Sequence, residues 1–420
     1  MKLSAEENAI LKGAKGPAPR LAMEILVEIG EVYQAACLIP VESAHIVVSN
    51  FKSSCEAGIE VLEKFVSLGA RAAVPTTVDP AGIDLDWGES HNLPQELLDK
   101  QKRIGEAFRA LDFIPCWTCV PYLFGQFPRR GDHLGWTESS AVVFANSILG
   151  AKSNRETAGL DIAISIAGRT PYHGLHLKEK RWGEALIEVA LPRLTREELT
   201  ILGYFAGLRC GTGIPVLTGL EKAARWEDYI GMGAASAASG GVALYYIVGV
   251  TPEAPTLKKA FGQNPVPPSV PFGPQELRET KARMCTAQPG AIDAVMVGCP
   301  HYTLAEIRDL ARLLQGRKIN SNVRFWVFTH KGNILLAERL GYRSVIEEAG
   351  AEFIADTCMV VTHAEFYDFR RIMTDSGKCA YYAPTEISPE AIFGSLQECV
   401  DTAVRGEWPG LEGNGLGGKN

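Results

Sequence analysis

From about residue 280 onward, apolar runs of strand length alternate with amphipathic stretches of helix length. Ile292 to Val297, Val323 to Thr329 and Phe353 to Val361 read as strands. Thr303 to Leu314 and Gly332 to Leu340 read as helices, and a short helical piece follows the third strand. This alternation predicts a parallel sheet covered by helices. The N-terminal part repeats the pattern with shorter strands. Ser4 and Glu7 form a capping box, Arg20 to Gln34, Glu56 to Leu68 and Pro94 to Leu111 have helical apolar spacing, and Leu38 to Val48 and Ala72 to Thr77 read as strands, the latter ended by Asp79-Pro80. The apolar run Phe113 to Tyr122 precedes a helix over Glu138 to Leu149 that Gly150 closes.

The middle is less regular. Ile162 to Ala167 and Ala185 to Ala190 alternate as strands do, and Arg196 to Leu208 reads as a helix. Ala234 to Gly241 holds only Ala, Ser and Gly, a composition that permits close backbone approach; tight helix packing is the expected use. Gly262 to Gln275, broken by prolines, reads as a linker. The expected organisation is an α/β protein with an N-terminal and middle region over 1–275, open to division in two, a C-terminal α/β domain over 276–406 and a Gly-rich tail over 407–420.

Composition narrows the function. The 420 residues are 46% hydrophobic and 22% charged, within the range of globular proteins. Lys plus Arg number 42 against 49 Asp plus Glu, and the net charge of -7 argues against a nucleic-acid binder. No run of about 18 apolar residues is present, and the N-terminus reads as a helix start and not as a signal peptide. A cytoplasmic chain with no membrane partner is expected.

Ten cysteines in a reducing compartment leave packing, catalysis and metal binding as uses. Cys37, Cys55, Cys210, Cys285, Cys379 and Cys399 lie in or beside apolar or helical stretches and read as core thiols. Cys116 and Cys119 share an apolar run, Cys299 directly follows a strand in Val297-Gly298-Cys299-Pro300-His301, and Cys358 falls in the strand read over Phe353 to Val361. In parallel sheets ligands gather beyond the carboxyl ends of strands, where these thiols could converge on one crevice. Their spacing forms no local motif. Nucleotide sites can be set aside: Gly377-Lys378 is followed by Cys379 and not by Ser or Thr, and no GxGxxG follows a strand.

Four segments carry a resemblance: Glu138-Ser139-Ser140-Ala141-Val142-Val143-Phe144-Ala145-Asn146-Ser147, Gly168-Arg169-Thr170-Pro171, Val297-Gly298-Cys299-Pro300-His301 and Thr374-Asp375-Ser376-Gly377-Lys378. From the N-terminus to about Gly406 the chain resembles the aconitase X family. That resemblance implies an aconitase-like α/β fold, multi-domain, with largely parallel helix-covered sheets and an inter-domain active-site crevice. It also implies a hydro-lyase acting on a small hydroxy acid, either mevalonate 5-phosphate or cis-3-hydroxy-L-proline, with the first preferred. A non-catalytic scaffold binding a metabolite or partner is the alternative from another class.

Carried over residue by residue, the family's iron–sulfur ligands fall on Cys119, Cys299 and Cys358. A 4Fe-4S cluster is expected, with 3Fe-4S and 2Fe-2S as alternatives. Substrate contacts fall on Val48, Ser49, Asn50, Asp79, Pro80, Glu138, Ser139 and Lys378, of which Glu138, Ser139 and Lys378 are the catalytic candidates. Two positions depart from the family pattern: Ile46-Val47-Val48 stands after His45 in place of a Gly-containing turn, and Asp79-Pro80 stands in place of Asn-Pro. Fused members carry a further swivelling domain, so the resemblance implies a separate small subunit, and hence a heterodimer, with the base on that subunit. His45 and His301 fit either a site role or a satisfied buried histidine.

Overall fold

The computed structural model describes residues 1–420 apart from 87–92, 192, 224, 388–389 and 412–420. Three parallel sheets, each with its own helices, succeed one another along the chain.

The first unit runs α1 (Ala5–Leu11), α2 (Pro17–Val32), β1 (Leu38–Pro40), β2 (Ser43–Ile46), α3 (Phe51–Ser67), β3 (Thr76–Val78), α4 (Gln95–Ala110), β4 (Leu134–Trp136), α5 (Ser139–Phe144), α6 (Leu160–Ala167) and β5 (Arg169–Pro171). The Ser4–Glu7 capping box opens α1 as expected. Strands β3, β2 and β4 lie side by side in parallel, while β1 and β5 form a separate antiparallel pair. The one strand expected over Leu38 to Val48 is therefore two strands in different sheets; Pro40 ends the first, having no N–H to continue the ladder. The helix expected over Glu138 to Leu149 is α5 followed by a π-helical turn over Ala145–Leu149, closed by Gly150 at φ 71°.

The strand expected over Ile162 to Ala167 is helix α6. Leu160 through Ile166 are all buried, so burial on every face hides the helical period, and the alternation of Ile with Ala and Ser imitates a strand. Asp161 fixes the helix start: its carboxylate accepts the N–H groups of Gly159, Ile162 and, from beyond β2, Val47.

The second unit runs β6 (Ala185–Val189), α7 (Arg196–Cys210), β7 (Pro215–Thr218), α8 (Asp228–Ser239), β8 (Tyr246–Ile247), α9 (Leu257–Phe261), β9 (Ser269–Phe272) and α10 (Pro274–Arg283). Its sheet has the order β8-β7-β6-β9, all parallel. The segment read as a linker thus supplies β9, an edge strand, the place where a sheet tolerates Pro271. The boundary expected at 275 falls at the start of α10, which packs on α7 and β9 of this unit. The small-residue run lies in and just after the last turns of α8 and packs tightly, as expected: a Cβ on Gly207 of α7 would lie 2.6 Å from the Ser236 carbonyl oxygen and would meet the Ser239 hydroxyl.

The third unit runs β10 (Gly290–Ala291), β11 (Ala294–Val297), α11 (Leu304–Leu314), β12 (Arg324–Thr329), α12 (Lys331–Arg339), α13 (Tyr342–Ala349), β13 (Glu352–Ala355), β14 (Arg371–Thr374), α14 (Gly377–Glu386), β15 (Glu390–Phe393), α15 (Leu396–Arg405) and β16 (Glu407–Trp408). Its parallel sheet has the order β13-β12-β11-β14-β15. Strand β13 ends at Ala355, so Cys358 lies in the loop beyond it and not in the strand. Of the segment read as a tail, Glu407–Trp408 pairs with β10 and buries Trp408, while 412–420 lie outside the described residues. The first and third units touch directly: Ala81 N–H donates to the Asp356 carbonyl at 2.8 Å, and Ala355 N–H to the Asp84 carboxylate at 2.7 Å.

Candidate active site

The carboxyl ends of the first and third sheets face one another, and the candidate residues stand on the loops that leave them. Asp79 and Pro80 follow β3, Glu138 follows β4, Cys299 follows β11, Cys358 follows β13 and Lys378 opens α14 after β14. Cys119 ends the apolar run of the first unit, held by the Thr118 N–H bond to the Val78 carbonyl at 3.1 Å. A crevice between facing strand ends is where the parallel-sheet rule places a ligand.

Lys378 is the cation of this crevice. Its Nζ lies 2.5 Å from Glu138 Oε1 and 3.4 Å from Ser139 Oγ. Glu138 is the N-cap of α5: its carboxylate accepts the Ala141 N–H at 2.6 Å and the Ser140 hydroxyl at 2.7 Å. Burial pushes the Glu138 carboxyl up, but the Lys378 ammonium and these hydrogen bonds outweigh it and hold the pKa below the usual range. Burial alone would lower the Lys378 pKa; the Glu138 carboxylate carries it well above its ordinary value instead. The pair is therefore ionic at neutral pH.

Helix α8 explains why these two groups meet. Both α5 and α14 pack on it, with Val143 of α5 against Gly233 and Gly377 of α14 against Ala235. A Cβ on Gly377 would approach the Ala235 Cβ to 2.8 Å, and one on Gly233 the Val143 Cγ1 to 2.9 Å. The second unit thus contributes the seat and none of the candidate side chains.

The three cysteines are buried and lie within electrostatic reach of one another and of this pair. Cys119 feels Glu138, Asp79, Cys358 and Cys299, and Cys299 feels Cys358, Lys378 and Glu138. Burial raises the Cys119 thiol well above its usual pKa, Cys299 to about 12 and Cys358 to about 11. These are thiols whose ionised form needs a partner. Among the described residues no three His, Cys, Asp or Glu side chains close on a point where a single ion would sit. Cys116 points elsewhere, its thiol 3.5 Å from the Val78 carbonyl.

Asp79 and His45 face each other with atoms left over. His45 Nδ1 pairs with Thr77 Oγ1 at 2.8 Å, and its Nε2 lies 3.5 Å from Asp79 Oδ1. Among the described residues, neither His45 Nε2 nor Asp79 Oδ1 has a hydrogen-bond partner. Burial raises the Asp79 pKa to about 6 against the pull of His45.

The expected contacts at 48–50 have structural employment. Val48 is buried in the first core, the Ser49 hydroxyl donates to the Pro80 carbonyl at 2.9 Å, and Asn50 caps α3 by accepting the Ser53 N–H at 2.9 Å. Ser376, within the Thr374–Lys378 segment, and His301, left open between a site role and a satisfied buried histidine, both take supporting roles. Ser376 caps α14 and donates its hydroxyl to the Cys299 carbonyl, joining the Lys378 and Cys299 loops. His301 bridges the loops of the thiols and is treated below; burial lowers its pKa to about 3, which keeps it neutral. A Ser directly before Gly-Lys at a strand end is a cap signal that could have found the first.

Comparison with known proteins agrees with this layout. Models of the aconitase X first, second and third domains match residues 1–179, 183–282 and 292–405. The phosphomevalonate dehydratase large subunit of Methanocaldococcus jannaschii is 38% identical over 406 residues, which cover 95% of this chain and 99% of that protein. The cis-3-hydroxy-L-proline dehydratase of Pseudomonas aeruginosa is 34% identical over 412 residues, covering 97% of this chain and 71% of that longer protein. The crystal structure of Thermococcus kodakaraensis aconitase X in its holo-form matches with a TM-score of 0.85 at 34% identity, covering 96% of this chain and 100% of that one. With family models spanning nearly the whole chain and relatives above 30% identity matched over at least 95% of it, the chain belongs to the aconitase X family.

Proposed function

We propose that this chain is the large subunit of an iron–sulfur-dependent hydro-lyase that removes water from a small hydroxy acid. One observation carries the reading: three buried thiols on loops at facing strand ends lie within electrostatic reach of the Lys378–Glu138 ion pair. The donor set suits the cofactor. Sulfur ligands select iron–sulfur clusters or soft metals, and burial leaves these three thiols needing a partner for their ionised form. Cys119, Cys299 and Cys358 would hold it, and 4Fe-4S is the proposed type. When bound, such a cluster offers an iron with an open position as a Lewis acid toward a substrate oxygen.

The protein's own part follows from the chemistry of dehydration. Loss of water from a β-hydroxy acid needs a base for the Cα proton, a stabiliser for the enolate-like charge and help for the departing hydroxide. Lys378 supplies fixed positive charge against a substrate carboxylate or phosphate, and Glu138, itself held by the α5 N-terminus, keeps the ammonium in place. Burial in the crevice strengthens that charge by excluding water. The base is assigned to a separate small subunit. Relatives named as large subunits match this chain over nearly their full length, which supports a two-subunit enzyme.

Mevalonate 5-phosphate is the proposed substrate type, with cis-3-hydroxy-L-proline as the second reading. One observation favours the second: Asp79 Oδ1 is buried, has no hydrogen-bond partner among the described residues and faces only His45 Nε2 at 3.5 Å, which leaves it as a counter-charge for a substrate ammonium. Coexpression with an adjacent small open reading frame, followed by anaerobic assay of both compounds for water loss, tests the reading. Turnover of either supports the hydro-lyase and names the substrate; an intact two-subunit complex with reconstituted iron that dehydrates no β-hydroxy acid sinks it.

A further inference from the structure

His301 is where the three cysteine-bearing segments meet. It stands two positions after Cys299 on the loop leaving β11 and is 1% exposed. Its backbone N–H donates to Cys119 Sγ at 3.3 Å, across 182 residues of sequence. Its Nδ1 lies 3.1 Å from Thr118 Oγ1, and its Nε2 lies 2.7 Å from the Thr357 carbonyl oxygen. Thr118 directly precedes Cys119, and Thr357 directly precedes Cys358. One buried residue therefore contacts the chain beside each of the other two thiols while sitting on the loop of the third.

The partners fix the ring. A carbonyl oxygen only accepts, so Nε2 carries the ring hydrogen, and the neutral ring takes the Thr118 hydroxyl at Nδ1. Thr118 Oγ1 in turn accepts the Val120 N–H at 3.3 Å, and Thr357 pairs in parallel with Ala81 of the first unit. Both anchors are themselves anchored. A metal ligand or a general base needs a free ring nitrogen, and neither nitrogen of His301 is free.

We propose that His301 is the positioning residue of the thiol set: its ring and its amide hold the Cys119, Cys299 and Cys358 segments in one geometry, and its N–H group donates to the Cys119 sulfur. This rests on the cluster reading above. Groups that orient metal ligands and hydrogen-bond to their sulfur atoms govern retention and electronic properties of the bound centre.

The test uses the full chain as wild type and as His301→Leu, His301→Gln and Thr118→Val. Each is reconstituted anaerobically with iron and sulfide, then challenged with a ferrous chelator. Iron release and the EPR spectrum of the oxidised centre are followed, with the thermal midpoint of the iron-free chain measured in parallel. H301L is expected to release iron about 10–100-fold faster than wild type, with an altered EPR spectrum. H301Q, whose amide still reaches the Thr357 carbonyl, is expected to fall between the two. T118V, nearly isosteric, removes one ring anchor together with the acceptor of the Val120 N–H; it is expected to move in the same direction and decides the matter if H301L does not fold. Iron release and EPR spectra unchanged in H301L and T118V overturn the assignment, whatever their thermal midpoints. A wild-type chain that takes up no iron overturns the cluster reading, and this assignment with it.

Discussion

Lys378 Nζ and Glu138 Oε1 stand 2.5 Å apart although 240 residues separate them in sequence. The contact joins the third unit to the first, and it forms because α14 and α5 share the small-residue surface of α8. Charge placement in the crevice is thus a consequence of packing in a unit that supplies no candidate side chain.

Removing one partner of this buried pair strands the other. Lys378→Met leaves Glu138, 5% exposed at its side chain, as an uncompensated charge, and is expected to cost about 3–5 kcal/mol in urea unfolding. The double variant K378M/E138Q is expected to regain most of that stability while turnover stays about 10²–10³-fold below wild type. Full turnover in the double variant would remove Lys378 from the chemistry.

Packing at α8 should be felt at the site. Gly377→Ala places a Cβ 2.8 Å from the Ala235 Cβ and is expected to cost about 1–3 kcal/mol through overpacking. Because Gly377 directly precedes Lys378, turnover is expected to fall with iron content unchanged. Wild-type turnover at reduced stability would uncouple the seat from the site.

Whereas β14, α14, β15 and α15 were not read from the sequence, the alternation of the first half of the third unit was legible because β11 and most of β12 are apolar runs separated by the amphipathic α11. Local signals and tertiary outcome coincide there. They part at α6, where burial on all sides erases the helical period, and at β9, where an edge position makes Pro271 compatible with a strand. Cys299 at a strand end was visible along the chain, and Lys378 was reached through the resemblance of the Thr374–Lys378 segment. The bridging by His301 was not, since Thr118 and Thr357 become its neighbours only after three loops fold together. The role of α8 was hidden for the same reason: its composition announced close packing but not which helices it would seat.

Glu156 gives a pH signature. Burial raises its carboxyl pKa from 4.5 to about 7, against the Asn154 amide that donates to it at 3.1 Å. The folded chain holds this proton more tightly than the unfolded chain, so the stability it contributes is complete below pH 4.5 and is lost as pH rises through 7. Glu156→Gln, neutral throughout, is expected to match wild type at the acid end and to exceed it by about 3 kcal/mol above pH 7. Thermal midpoints measured across this window check the sign; a difference that does not grow with pH contradicts it.

The most direct measurement of the account is the iron and sulfide content, with the visible spectrum, of anaerobically reconstituted chain in Cys119→Ser, Cys299→Ser, Cys358→Ser and Cys116→Ser variants. The account predicts a brown chromophore in wild type and C116S, and its loss or marked weakening in each of the other three. A chromophore that survives replacement of Cys119, Cys299 and Cys358 alike, or a fully active enzyme without iron, would contradict it.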